Sequence, residues 1–421
     1  MKELNLNTRK ALISQLINRY KKSSKKSKSK LLDEFVATIG YNRCYARRIL
    51  RQGHKRRYEW NHSSPASKKP PGRKRKYTAE IFDALIKVWA ILNFPCGKRL
   101  KAIMKEIIEV LEKWGEIHLS EEIKALLLVV SASTIDRLLK AERKKLQIKG
   151  RSGTKPGSLL KHKIPIRTFA DWDNAKPGFL QIDLVGHEGG NARGDFCQTL
   201  DATDVATGWI DPEAIKNKAQ VWVFKALEHI RRRLPFPLLG INSDCGSEFI
   251  NSHLIRYCHK HKVTFTRSRA SKKNDNCYVE QKNYTAVRQT VGYYRYDTPR
   301  EQALLNQIYA IYRLYGNFFL PQMKLTEKIR NGSKVTKKYD RPQTPYARAL
   351  ANAYVSGEAK EKLKQQYATL NPAKLRRDML LLQEKLHRLA SSKHNLWASE
   401  STTPVESVVA PQENLAYAYA L

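Results

Sequence analysis

The sequence predicts a multidomain chain that is α-helical at the front, α/β in its centre, and closed by a small C-terminal β module and a helical tail. Three observations predict it. Apolar residues recur at helical spacing in stretches between residues 29 and 148, on either side of a polar linker. Short alternating runs divided by Gly and Asp replace them after residue 165, and a basic hairpin with a charged helix behind it closes the pattern. With 421 residues and 41% hydrophobic content, several cores can be built.

Within residues 1–60, SKLLDEFVATIG reads as a helix stopped by Gly40, and Asn42 then caps a second helix, RCYARRILRQ, ending at Gly53. Two helices around a short Gly-containing turn predict an N-terminal helix-turn-helix. Arg43, Arg47, Arg48 and Arg51 lie on its second helix, where they would meet phosphates or base edges. Residues 61–76 are rich in Ser, Pro and Lys, a basic linker whose Arg73, Lys74 and Arg75 suit a minor groove.

Residues 77–148 form a second helical block. Thr78 caps AEIFDALIKVWAIL, Pro95 breaks it, and KRLKAIMKEIIEVLEKW runs amphipathically to Gly115. SEEIKALLLVV then turns into STIDRLLKAERKKL, with Ser133 and Asp136 expected as its capping box and Arg137, Lys140, Arg143 and Lys144 facing outward, a second helix-turn-helix candidate for DNA.

After a linker at 149–164, GFLQIDLVG, DFCQTLDATD and GWIDPEAI read as three strands, KAQVWVFKALEHIRRRL as a helix, LLGINSD as a strand, FINSHLIRYCHKHK as a helix and VTFTRS as a strand. This predicts a mixed sheet flanked by helices over residues 165–315. A small basic β module turning at Asn331 and Gly332 is expected at 316–358, a charged helix or helical pair at 359–391, and a loose tail at 392–421.

Charge narrows the function classes. The chain carries 78 Lys and Arg against 39 Asp and Glu, a net +39. Residues 1–76 alone hold 23 basic and 4 acidic residues. A polyanion is the economical partner, because so much like charge repels itself unless neutralised, and nucleic acid fits better than a membrane or a small-molecule substrate. MKELNLNTRK lacks an apolar signal region, no run reaches the ~20 apolar residues of a span, and a cytoplasmic protein is expected. Six scattered cysteines without CxxC pairs favour reduced thiols.

Three acids stand out. Asp183 lies mid-strand in GFLQIDLVG, where an isolated charge is costly without a metal or partner. Asp244 ends the apolar run LLGINSD, at the carboxyl edge where α/β sheets bind ligands. Glu280 sits on a helix whose Asn283 and Val287 share its face. Structural alternatives stay open: a turn acid, an N-cap and a solvated helix residue. Asp201 rivals Asp183, Asp204 reads as a turn residue beside Gly208, Glu188 as a hairpin tip, and Glu248 as an auxiliary. Lys272, Lys273, Lys282 and Arg288 surround the Glu helix as phosphate contacts, the three tyrosines at 293, 294 and 296 read as packing residues, and His253, Cys258, His259 and His261 lack the paired spacing of a zinc site.

The order strand, strand end, helix, with 35 residues between Asp244 and Glu280, resembles the DDE transposase and retroviral integrase superfamily. QIDL, the D-x-G-x-E-F run from Asp244 to Phe249, SKKNDNCYVEQKN and DRPQTPYARAL carry the resemblance, over residues 165–350. Cys245 departs from it, standing where such families commonly have Asn. The resemblance implies a ribonuclease H-like mixed-sheet core and an insertion-sequence transposase acting on double-stranded DNA, at element ends and at the target. It also implies a homo-oligomer on DNA. Asp183, Asp244 and Glu280 would hold two Mg²⁺ (or Mn²⁺) ions about 3.5–4 Å apart.

Overall fold

The structure, a computed structural model, describes residues 6–52, 77–145, 175–243, 249, 252–268, 277–331 and 334–400. The chain divides into two compact units, Met1–Lys74 and Arg75–Leu421.

The first unit has three helices, α1 (Leu6–Lys22), α2 (Lys25–Ile39) and α3 (Arg43–Gln52). The expected caps form. Gly40 takes the left-handed φ of 78° that ends α2, and Asn42 Oδ1 accepts from Cys44 N at 2.8 Å to start α3. Helix α1 is an addition to the sequence expectation. Two helices cannot enclose a core, and Ile13 and Tyr20 of α1 close the one made by Leu31, Leu32, Phe35 and Ile39 of α2 with Ala46, Ile49 and Leu50 of α3.

The second unit opens with α4 (Ala79–Ile91), α5 (Gly97–Lys113), α6 (Glu121–Val129), α7 (Ala132–Leu138) and α8 (Lys140–Lys145). The cap of α7 is Ser131, which accepts from Thr134 N at 3.2 Å, and not Ser133. Asp136 is taken elsewhere: it accepts from Gly97 N at 2.8 Å and pairs with Arg143 at 2.9 Å. Gly97 permits this approach, because a Cβ there would lie 2.1 Å from Ala132 O.

The central sheet contains β1 (Phe179–Gly186), β2 (Gln198–Asp204), β3 (Glu213–Ile215), β4 (Gly240–Ser243) and β5 (Thr264–Arg267), in the order β3-β2-β1-β4-β5. The first three strands pair antiparallel; β4 joins β1, and β5 joins β4, in parallel. This mixed arrangement is consistent with a ribonuclease H-like core. Alternation along β1 and β2 makes two faces. Leu180, Ile182, Leu200 and Ala202 pack on α9 (Gln220–Arg233) and α10 (Ser252–Lys260) through Val223, Leu227, Leu254 and Tyr257. Gln181 and Asp183 face the other way, with Thr199 and Asp201 beside them.

That second face is covered by α11 (Cys277–Lys282), a π-helical turn (Asn283–Arg288), α12 (Gln289–Val291) and α13 (Pro299–Phe319). A two-stranded sheet, β6 (Leu325–Asn331) and β7 (Lys334–Tyr339), precedes α14 (Pro345–Ala351), α15 (Gly357–Ala368) and α16 (Pro372–Glu400). Residues 392–400, expected in a loose tail, are therefore helical.

The helices α4–α7 share one buried apolar cluster with α13–α16, although the sequence expectation separates them. Polar contacts cross the same boundary. Trp114 Nε1 donates to Leu370 O at 3.0 Å, Tyr315 Oη donates to Ile91 O, and Glu116 accepts both 2.8 Å arms of Arg377. Among the described residues no helix is long and apolar enough to cross a membrane.

Candidate active site

Two contacts set the helix that carries Glu280 onto the strand that carries Asp183. Gln181 Oε1 accepts from Tyr278 N at 2.9 Å and Val279 N at 3.3 Å, satisfying donors that the first turn of α11 cannot bond internally. One turn later Asn283 Nδ2 donates to Asp183 Oδ2 at 2.6 Å, while Leu184 N donates to Oδ1 at 2.8 Å. Glu280 lies between these anchors, exposed, and one helical turn before Asn283. The structure thus packs the helix that carries Glu280 onto the strand face that carries Asp183. Gln181 escaped the sequence expectation, although its position two residues before Asp183 puts it on the same strand face.

Asp244 and Glu248 lie outside the described residues, as do Lys272, Lys273, Arg73, Lys74 and Arg75. Strand β4 is described to Ser243, with Asn242 in register with Gln181.

Asp201 is the cross-strand partner of Asp183, and burial separates their roles. Asp201 is 0% exposed, and among the described residues neither of its carboxyl oxygens has a partner within hydrogen-bond geometry. Burial holds its carboxyl well above the usual range, despite the attraction of Lys282. A metal ligand must be ionised and reachable, and the half-buried Asp183 meets that condition better than sealed Asp201. Asp204 is structural, as expected: its oxygens accept from Gly178 N, Thr207 N and Thr207 Oγ1 at 2.6–2.8 Å. Glu188 bridges to Arg295 beyond β1.

Lys282 departs from its expected place on an open DNA-facing surface. It is partly enclosed near Asp201, and burial, reinforced by Arg99 and Arg348, pushes its ammonium down to about 7. Arg288 is likewise drawn inward, donating to Gly186 O at 2.7 Å. Tyr296 is buried and Tyr294 meets His387, in keeping with packing roles.

Among the described residues no group of three or more His, Cys, Asp or Glu is arranged to hold a metal. The chemistry at Asp183 and Glu280 is nonetheless all-oxygen, with the Asn283 amide beside it, and suits Mg²⁺ or Mn²⁺ better than Zn²⁺. Around α10, burial pushes the Cys258 thiol up to about 12, and His261 packs against Tyr257, so no thiolate-imidazole pair forms there.

In the first unit Arg47 and Arg51 are exposed, and Arg48 lies 5.0 Å over the Tyr45 ring. Arg43 is held by Asp33 and Ser29 and is less open to DNA than the sequence implies. Arg137 and Lys140 are exposed in the second unit, whereas Arg143, expected outward, pairs with Asp136 and lies over Trp89.

His187, at the end of β1, gives a testable signature of this packing. Its Nε2 meets Thr199 Oγ1 at 2.7 Å, Thr199 meets Tyr309 Oη at 2.8 Å, and burial with nearby Arg288 pushes the imidazole down to about 3. A depressed imidazole favours the neutral ring in the fold. Its stability contribution is complete above the unfolded value of 6.5 and is lost as pH falls from there toward about 3. Denaturant titrations are expected to show about 2 kcal/mol less stability at about pH 5 than at about pH 7, a difference that His187→Phe removes.

The fold and site define a mixed α/β chain in which the helix carrying Glu280 is docked on the sheet face that carries Asp183. No family model matches it. The chain is 37% identical over 350 residues to uncharacterized protein y4rM of Sinorhizobium fredii (strain NBRC 101917 / NGR234), spanning 82% of this chain and 96% of that one, and it belongs to the same family as y4rM. Among solved structures it is similar to the catalytic core domain of BIV integrase, with a TM-score of 0.26 and 13% identity, over 40% of this chain and 91% of that one. It is also similar to the HTLV-2 integrase catalytic core domain in complex with magnesium (dimeric form), with a TM-score of 0.22 and 17% identity, over 27% of this chain and 69% of that one.

Proposed function

We propose that the chain is a DDE-type transposase, a polynucleotidyl transferase that binds the terminal repeats of its own mobile element, cuts the DNA and joins the freed end to a target. The observation that carries this reading is the docking of α11 on β1 through Gln181 and Asn283, from which Glu280 would reach toward Asp183. Asp183 and Glu280, with Asp244 as the third carboxylate, would hold two Mg²⁺ or Mn²⁺ ions. Bound there, the ions would activate the attacking hydroxyl and stabilise the charge that develops on the leaving oxygen.

The chain's own residues set the geometry. Asn283 donates to one Asp183 oxygen and so orients the carboxylate, and Gln181 fixes the angle at which α11 meets the strand. Arg47, Arg48, Arg51, Arg137 and Lys140 supply exposed positive charge for phosphates, with the basic stretch at 73–75 and the lysines at 272–273 adding to it. Two element ends must meet for joining, so a homo-oligomer assembles on DNA.

A labelled duplex carrying the element's end, incubated with Mg²⁺ and unlabelled target DNA, tests the reading. Wild type should yield joined product, and Asp183→Asn should yield none while still binding the duplex. Cleavage without joining would make the chain a nuclease, and binding alone would make it a DNA-binding regulator.

A further inference from the structure

Between Lys324 and Arg341 the chain has seven Lys or Arg and two acids, and most of this stretch is the β6–β7 ribbon. Among the described residues no third strand joins it. Lysines along an open edge have a bland explanation, since they discourage edge-to-edge aggregation. That explanation does not account for the apolar side chains the ribbon exposes: Leu325 is 38% exposed, Ile329 39% and Tyr339 47%, with Leu325 directly opposite Tyr339. Such a combination, cationic and apolar on one narrow element, suits a polyanion that also presents sugars and base edges.

The root of the ribbon is fixed and lies beside the candidate active site. Asp340 accepts from Lys324 N at 2.7 Å and pairs with Arg348 at 2.7 Å, and Gln322 and Gln343 exchange backbone hydrogen bonds of 2.8 and 3.1 Å. Lys324 Nζ donates to Ala206 O at 2.8 Å and lies 5.9 Å from the ring of Tyr278, two residues before Glu280. At about 3.4 Å per residue the strands extend roughly 20 Å, and a major groove about 12 Å wide admits a two-stranded ribbon.

We infer that the β6–β7 ribbon is a duplex-DNA contact that lies in a groove of the DNA next to the catalytic face. Lys337 meets the phosphates, and Tyr339, two residues on along the same face, lies against sugars and base edges. The partner follows from the transposase reading, but the contact is a separate property and is measured separately.

The experiment uses the full chain and a fluorescently labelled random-sequence duplex, with no divalent metal, and follows anisotropy across a salt series. Lys337→Glu should make the slope of log affinity against log salt shallower by about 1, the value of one lost phosphate contact. Tyr339→Ala should weaken binding at every salt concentration and leave that slope unchanged. Both positions are exposed, so thermal melts should match wild type. Wild-type affinity and slope in both variants would overturn the inference. So would variants that lose self-association by sedimentation yet keep duplex binding, since the ribbon would then pair with a second copy. Absent strand transfer with an intact ribbon effect would sink the transposase reading and leave this one standing.

Discussion

Glu280→Gln is expected to lower strand joining by at least about a hundredfold, because groups that merely support a metal ligand are worth 10–100-fold and Glu280 is proposed as a ligand itself. The substitution keeps the shape of the side chain and removes its charge. Glu280 is exposed, so the fold should not suffer, and the Gln181 and Asn283 contacts that dock α11 involve other residues. Melting temperature and duplex affinity should therefore stay at wild-type values while product disappears in a joining assay. Retention of wild-type joining would remove Glu280 from the site.

Arg233→Ala is expected to cost about 3–5 kcal/mol of stability, the penalty for leaving a buried charge without its partner. Arg233 reaches both oxygens of Asp211 at 2.8 and 3.2 Å and Glu213 at 2.7 Å, tying the end of α9 to β3 and the loop before it. Asp211 is only 1% exposed, and burial pushes its carboxyl up even with Arg233 beside it. Removing the guanidinium leaves that buried carboxylate with the more distant Arg313, 3.9 Å away, as its cation. Chemical denaturation should show the loss, and adding Asp211→Asn should recover part of it, because a neutral amide is cheaper to bury. An Arg233→Ala protein as stable as wild type would show that the network contributes nothing net.

Local signals were legible in the sequence and long-range ones were not. Gly40 and Asn42 mark helix boundaries through their own backbone preferences, and the structure has them in those places. The alternation in QIDL and QTLDATD placed β1 and β2, and with them the face that Asp183 shares with Asp201. The docking partners of α4–α7 could not be read, because an amphipathic helix declares that it needs an apolar neighbour and not which one; here the neighbours include α13–α16. Ser133 and Ser131 are equally good caps by residue type, and only the approach of Gly97 to Ala132 and Asp136 fixes where α7 starts. Lys282 resembled any basic residue beside a polyanion site. Its enclosure with Asp201 depends on a strand some eighty residues earlier in the chain.

The π-helical turn at Asn283–Arg288 sets the phase between the two halves of the segment that carries Glu280. Its wider winding absorbs an additional residue, so Asn283 can meet Asp183 while Ala286 and Val287 stay sealed in the interior. Deleting a single residue there would restore regular α winding and swing the preceding turn by about 100° against its buried anchor. The carboxylates would all be retained, yet Glu280 would be carried off the sheet. A chain with every carboxylate in place would then lack the proposed active site, purely from a change in pitch.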